Sequence, residues 1–388
     1  MLANMTKHYS PRQMIDALIA IPTVSRDPNL LLIEFVQTYL QDHGVESHLV
    51  KNTAGTKANL YATVGPEIAG GVVLSGHTDV VPIDDQEWST DPFTATESDG
   101  KLFGRGTCDM KSFIAIALAL VPEMADLKRP IHFALSYDEE IGCLGAPDLI
   151  ARMCSELPQP MAVIIGEPTR MRVVNAHKSI LHFETLVTGH EAHSSQQHRG
   201  VSAVMVAAKM LHWMGERQLR NAACADSDSP FDPPYTTIHC GVIHGGTAAN
   251  IMARHCRFVT DIRSVPGEDA LDYFKELEHF ALEELVPAMQ EVQPGTGIEF
   301  DIHAHVPAFH SCDDEPAVAL VRQLTGQNSL ESVTYGAEAG QFQQAGFSVA
   351  MCGPGSIDQA HQPNEFITLE QVEKGIQFTR RLIDYLSA

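Results

Sequence analysis

The strongest constraint in this chain is a set of strand-like apolar runs that each stop at a residue of metal-binding type. Val72-Val73-Leu74-Ser75 runs into Gly76-His77, Ile131 to Ser136 precedes Glu139-Glu140, and Met161 to Ile165 leads to Gly166-Glu167. Helical patterns lie around and between them. Ser10-Pro11 is an N-cap with proline in the first turn, followed by a stripe of Met14, Ile15, Leu18 and Ile19 that Pro22 ends. Residues 30–43 read as a second helix and 112–121 as an Ala-rich buried one, with Ala58 to Val64 as a further strand. Strands alternating with helices predict an α/β fold on a largely parallel sheet. Open sheets of this kind bind ligands at the carboxyl ends of their strands. Residues far apart in sequence are thereby expected to meet on one edge.

The pattern changes after His177. Ile180 to Val187, Thr237 to Val242, Arg257 to Arg263 and Glu299 to His305 read as strands. Val201, Val204, Met205, Ala208, Leu211 and Met214 form a helical stripe, a second helix covers about 269–286, and 221–234 reads as a surface loop. This block is a self-contained α+β unit of residues 178–306, inserted in a first domain made of 1–177 and 307–388. The first domain closes with Thr368-Leu369-Glu370-Gln371, a capping box, and a helix striped by Val372, Ile376, Leu382, Ile383 and Leu386.

Charge narrows the partners. Lys and Arg number 26 against 49 Asp and Glu, a formal charge of −23, which disfavours nucleic acid and anionic membranes. No apolar stretch approaches the roughly 20 residues of a membrane span, and Met1 to Ser10 carries no leader pattern. The eight Cys include no Cys-x-x-Cys pair and read as reduced, so the expected compartment is the cytoplasm.

Six residues read as one site: His77, Asp109, Glu139, Glu140, Glu167 and His361. Zinc takes His nitrogen and carboxylate oxygen at about 2.0–2.2 Å. A shared carboxylate can hold two ions roughly 3.5–4 Å apart. Five of the six could serve as ligands, leaving one carboxylate for proton transfer. In His77-Thr78-Asp79, alternate residues share a face, so Asp79 is expected to hydrogen-bond the second nitrogen of His77; its other reading is a turn residue. Asp109, taken on its own, reads better as a cap of the 112–121 helix. Glu139-Glu140 could be a solvated pair, although it follows a buried strand. With 19 His in the chain, most are not ligands. No Gly-x-Ser-x-Gly, His-Glu-x-x-His or phosphate-loop motif is present.

Ser75-Gly76-His77-Thr78-Asp79-Val80-Val81-Pro82, Gly104-Arg105-Gly106-Thr107-Cys108-Asp109-Met110-Lys111, Asp138-Glu139-Glu140, Gly166-Glu167-Pro168-Thr169 and Ala360-His361-Gln362-Pro363-Asn364-Glu365 resemble the M20 family of co-catalytic zinc peptidases and deacylases. The resemblance spans essentially the whole chain. It implies a zinc-peptidase-like catalytic domain with a mixed, mainly parallel sheet. The inserted block would be a lid and dimerisation domain, in a homodimer. By resemblance, one Zn2+ takes His77 and Glu167, the other takes Glu140 and His361, and Asp109 bridges them, with Co2+ or Mn2+ as possible substitutes. Glu139 is then the general base, and the Asp109–Met110 peptide is cis. His193 matches a histidine that steadies the oxyanion across the dimer, and Arg263 and Asn250 match positions that hold a substrate α-carboxylate. Arg263 reads equally well as a structural ion pair in its strand. The implied reaction removes the acyl group of a small N-acyl amino acid, first of all N2-acetyl-L-ornithine. Tyr335 to Gly340 matches a loop lining the family's active site, where Glu338 is expected to pair with the ornithine ammonium; its other reading is a loop carboxylate facing solvent. N-succinyl-diaminopimelate, a neutral N-acyl amino acid, N-acetylcitrulline or a dipeptide are the alternatives, and a non-catalytic metal-dependent binding protein is another.

Overall fold

The computed structural model describes residues 8–388; the segment Met1–Lys7, part of the stretch read above for a leader, lies outside them. The chain divides into two compact units. The first comprises the chain up to Asn175, His310–Glu331 and Ala337–Ala388; the second comprises Ala176–Phe309 and Ser332–Gly336.

The first unit is built on a mixed sheet. Its strands run in the order Ser47–Lys51, Ala58–Val64, Ile131–Ser136, Val72–His77, Ala162–Pro168 and Val349–Gly353. The strands from Ile131–Ser136 to Val349–Gly353 pair in parallel, and Ala58–Val64 and Ser47–Lys51 extend them antiparallel. Val72, Val73, Leu74, Ile131, Phe133 and Leu135 are all buried. Each such side chain contributes about 1.5–3 kcal/mol by leaving water. The helix Lys111–Ala119 is buried along its whole length, as the apolar run Phe113–Ala119 predicts, and its buried Lys111 and Ser112 bond the backbone carbonyls of Ile21 and Thr107.

Two glycines explain how that helix reaches the strand ends. A Cβ on Gly166 would lie 2.1 Å from the Phe113 ring, and one on Gly76 would lie 2.8 Å from Met110. Only glycine lets the helix that follows Asp109 pack this closely. The same two glycines immediately precede His77 and Glu167 in the sequence.

The amino-terminal helix Pro11–Ile19 buries Met14, Ile15, Leu18 and Ile19, and Ser10 and Gln13 form a complete capping box. The box expected at Thr368 is half formed. Thr368 Oγ1 accepts from the Gln371 amide at 3.2 Å, but Gln371 Oε1 instead accepts from the Gly355 amide at 3.2 Å. The remaining bond still satisfies one free N–H of the helix Leu369–Ser387. Thr368→Ala should therefore lower stability by about 1 kcal/mol, read as a shifted urea midpoint with unchanged slope; a shift below a quarter of that would show the cap is dispensable.

The second unit holds a four-stranded antiparallel sheet in the order Thr237–Gly245, His255–Arg263, Ile180–Thr188 and Gly297–Val306. Buried and less buried residues alternate along Ile180–Thr188 and His255–Arg263, the period-two pattern of a sheet covered on one face. Phe183, Phe258 and Ile262 pack there with Met210 and Met214 of the helix Ala203–Ala223 and with Phe274 and Leu277 of Ala270–His279. The helical stripe read from the sequence is corrected here. Ala203, Val206, Ala207, Met210 and Met214 form the buried face, while Met205 is 66% exposed and Ala208 points outward. The helix is apolar on two sides, so periodicity alone could not select the inner one. It also runs on to Ala223, into the segment read as loop. Among the described residues no helix is long and apolar enough to cross a membrane, and the eight cysteines are free.

Candidate metal centre

The strand Val72–His77 ends at His77, which is 1% exposed. Its Nε2 lies 3.0 Å from Asp109 Oδ1 and 3.9 Å from Glu167 Oε1. Asp109 sits just before the helix Lys111–Ala119, and Glu167 lies near the end of the strand Ala162–Pro168. Asp109 does not cap that helix through its side chain; Met110 occupies the cap position, and the Asp109–Met110 peptide is cis. On the other side, His361 Nε2 lies 3.4 Å from Asp109 Oδ2 and 2.9 Å from Glu140 Oε2. His361 adopts a left-handed backbone, φ 61°, in the loop before Pro363.

Two three-residue groups result, His77 with Asp109 and Glu167, and Asp109 with Glu140 and His361, each with donor atoms within 4.8 Å of one another. They share Asp109, one oxygen toward each side. The first is enclosed, with side chains 1–6% exposed; the second opens outward through His361, whose side chain is 52% exposed.

Nitrogen and carboxylate oxygen donors at these spacings fit divalent cations. Two further observations agree. Glu167 Oε1 is buried and accepts no hydrogen bond. Burial together with the charges of Asp109 and neighbouring glutamates pushes the Glu167 carboxyl well above its ordinary range, and burial beside Asp109 pushes Glu140 up to about 7. A cation between these oxygens would remove that penalty. Burial is the largest single influence on His77 and opposes its positive charge, but the carboxylates of Asp109, Asp79 and Glu139 together outweigh it and hold the imidazole well above its ordinary value. Asp109 is lowered: bonds to His361 and His77 overcome its desolvation.

Glu139 belongs to neither group. Burial, with Glu140 and Asp109 nearby, raises its carboxyl well above the usual range despite the charge of His77. The Cys143 thiol donates to Glu139 Oε1 at 3.3 Å. Asp79 departs from expectation. His77 Nδ1 bonds the Asp79 backbone carbonyl at 2.9 Å, while the Asp79 carboxylate stands 3.6 Å away. That carboxylate instead accepts from the Glu139 and Glu140 amides at 3.2 and 3.3 Å and from Ser25 Oγ at 2.7 Å. It orients the acidic dipeptide, a task invisible in the sequence because the partners are sixty residues on.

Glu338 is 1% exposed; its Oε2 accepts from Ser75 Oγ at 3.1 Å, and among the described residues its Oε1 finds no hydrogen-bond donor. Burial raises its carboxyl as well. The remaining three residues belong to the second unit. Arg263 donates to Asp261 on its own strand at 2.8 Å and lies 3.4 Å from His182. His193 is exposed, with Nδ1 2.8 Å from Ser195 Oγ. Asn250 is exposed, and its carbonyl accepts from the Ser194 amide at 3.0 Å. Cys143 and Glu365 are the contributors that sequence reasoning passed over. Glu365 stands in a motif quoted above, but only the fold reveals that it is buried against the Asp109 loop.

Residues 73–385 match peptidase family M20/M25/M40. Acetylornithine deacetylase of Photorhabdus laumondii is 35% identical over 384 residues, 96% of each chain. That of Pectobacterium carotovorum is 37% identical over 384 residues, 96% of this chain and 95% of the relative. Among solved structures, an M20 family metallo-carboxypeptidase from Sulfolobus solfataricus superposes with a TM-score of 0.77 at 18% identity, covering 98% of this chain and 99% of that one. With a match across most of its length and relatives above one-third identity, this chain is a member of peptidase family M20/M25/M40.

Proposed function

We propose that this protein hydrolyses the amide of an N-acyl amino acid, with N2-acetyl-L-ornithine as the substrate and ornithine and acetate as products. The carrying observation is the pair of ligand groups sharing Asp109, with the carboxylate of Glu139 beside them and outside both. Acetylornithine deacetylases similar over nearly the full chain supply the substrate, which places the reaction in arginine biosynthesis. A cytoplasmic location belongs to the same reading.

His77, Asp109 and Glu167 would hold one cation and Asp109, Glu140 and His361 the other. Zinc is the leading ion, and Co2+ or Mn2+ suit the same donors. Such cations supply Lewis acidity, which polarises an acyl carbonyl and lowers the pKa of a water. Glu139, a carboxylate outside both ligand groups, would take the attacking water's proton and later give it to the leaving amine. Asp79 fixes where Glu139 starts from by holding its amide.

Recognition is assigned to Arg263, Asn250, His193 and Glu338. Arg263 and Asn250 would pair with the substrate α-carboxylate, for which the forked guanidinium is suited, at the expense of its present bond to Asp261. His193 would steady the oxyanion, delivered by the second unit acting as lid and dimerisation domain. The sheet of that unit ends in the strand Thr237–Gly245, whose outer edge is unpaired among the described residues and whose Val242 and Ile243 are 49% and 45% exposed; such an edge favours pairing with a second copy. Glu338 would neutralise the ornithine ammonium through its unpaired oxygen, a bond worth making only with a fully desolvated cation.

Initial rates of the zinc-loaded protein on N-acetylornithine, N-acetylcitrulline, N-acetylmethionine and N-succinyl-diaminopimelate test the reading. N-acetylornithine should lead by about a hundredfold in kcat/KM, about 2.7 kcal/mol, and Glu338→Gln should erase that lead. A flat profile would discard ornithine, and an equal loss on cationic and neutral substrates would remove Glu338 from recognition.

A further inference from the structure

His361 reaches the metal groups from a loop that is 52% exposed at its key side chain and left-handed at both His361 and Asn364. Something must hold that loop in register with the segment carrying Asp109. The candidate is Glu365, only 1% exposed and four residues after His361. Its Oε1 accepts from the amides of Gly106, Cys108 and Asp109 at 3.0, 2.8 and 3.1 Å. Its Oε2 accepts from Arg105 Nη1 at 2.7 Å, and both side chains are 1% exposed. One buried carboxylate thus gathers the whole turn that presents Asp109, with a buried guanidinium to balance its charge. Charge-assisted bonds of this kind are the strong ones.

The chain of contacts continues. Arg105 Nη2 donates to Gln86 Oε1 at 2.6 Å, and the Trp88 indole donates to the same oxygen at 3.2 Å. The Gln86 amide nitrogen then donates to the carbonyl of His361 at 3.1 Å. The loop is therefore pinned twice: at Glu365 directly to the Asp109 turn, and at His361 through Gln86 and Arg105. None of these three side chains is a member of either ligand group.

We propose that Glu365, Arg105 and Gln86 are positioning residues that lock the His361 loop to the Asp109 turn and thereby set the affinity for the outer cation. The inference rests on the metal-centre reading above. Its pattern is specific. Of the ligand-bearing residues Gln86 bonds His361 alone, through its backbone, and His361 serves only the outer group; the Gln86 bond to Arg105 reaches the Asp109 turn only by way of Glu365. Glu365 acts on Asp109 as well, which serves both. Partners that orient metal ligands typically change affinity by about ten- to a hundredfold when lost.

Metal-free wild type, Gln86→Ala, Glu365→Gln and His361→Ala are titrated with Zn2+ against a chromogenic chelator, and with Co2+ followed by visible absorption. Wild type should take two cations and His361→Ala one. Gln86→Ala should take two, with the cation that His361→Ala lacks bound about ten- to a hundredfold more weakly and the other unchanged. Glu365→Gln should weaken both. Gln86 is partly exposed, so its truncation carries the test alone if Glu365→Gln does not fold. Wild-type affinity for both cations in Gln86→Ala, or equal weakening of both, would overturn the inference. A wild type that takes fewer than two cations would overturn the metal-centre reading instead.

Discussion

Glu139→Gln is expected to lower kcat by about a thousandfold, within the range that a positioned acid–base group supplies, while KM and bound metal stay near wild type. In transition-state terms this is about 4 kcal/mol. Glutamine has the same shape and can still accept the Cys143 thiol, which lies 3.3 Å from Glu139 Oε1. It cannot take or return a proton. The backbone amide held by Asp79 is untouched by the change, so the acidic dipeptide should keep its place and Glu140 its donor geometry. Steady-state rates combined with metal analysis decide the matter. A variant that kept a tenth of wild-type kcat would take Glu139 out of proton transfer, and one that lost metal would make it a ligand.

The metal-free protein should lose stability as pH rises, and cations should reverse the trend. Burial raises Glu140 to about 7 from an ordinary 4.5 and raises Glu139 and Glu167 as well. Hydrogen bonds to Asp109 and Glu140 hold His361 up at about 10, above its ordinary 6.5. Each folded value exceeds the unfolded one, so the folded state binds more protons and stability falls with pH. For Glu140 the loss begins near 4.5 and runs through about 7, on the order of 3 kcal/mol; for His361 it runs from 6.5 to about 10. Asp79 and Asp109 are lowered and matter only in acid, below 3.8. Cations displace the protons, so the difference between loaded and metal-free protein should widen upward in pH. Melting temperatures at about pH 5, 7 and 9 test this. Because the whole chain carries −23, metal-free Glu140→Gln is the control: it should melt with a shallower pH slope. An unchanged slope would assign the effect to general repulsion.

The sequence revealed the parts of this protein that rest on local pattern. The runs Val72–Ser75 and Ile131–Ser136 are mostly apolar, so the strands and the candidate ligands after them could be read together. Elements too short for a period escaped: Phe309–His310, Glu331–Val333 and Val349–Gly353 were not foreseen. Neither were the helices Ala146–Glu156 and Pro316–Thr325. The helix Ala203–Ala223 was found but rotated, because Met205 and Ala208 make its outer face apolar too. At the site, the groups His77, Asp109, Glu140, Glu167 and His361 were legible as residue types at strand ends and loops. Their supports were not. Asp79 serves amides sixty residues away and Glu365 serves a turn some 260 residues away, separations that no periodicity records.

The division of the chain bears on the order in which the protein can form as it is synthesised. The second unit is nearly contiguous, from Ala176 to Phe309, whereas the first is interrupted by it and resumes at His310. A chain leaving the ribosome therefore offers a complete antiparallel sheet while the parallel one still lacks Val349–Gly353. Domains tend to fold as units when their last element emerges. His77, Glu140 and Glu167 must wait through the whole of the inserted unit, and the group of Asp109, Glu140 and His361 stays incomplete until His361 has been made.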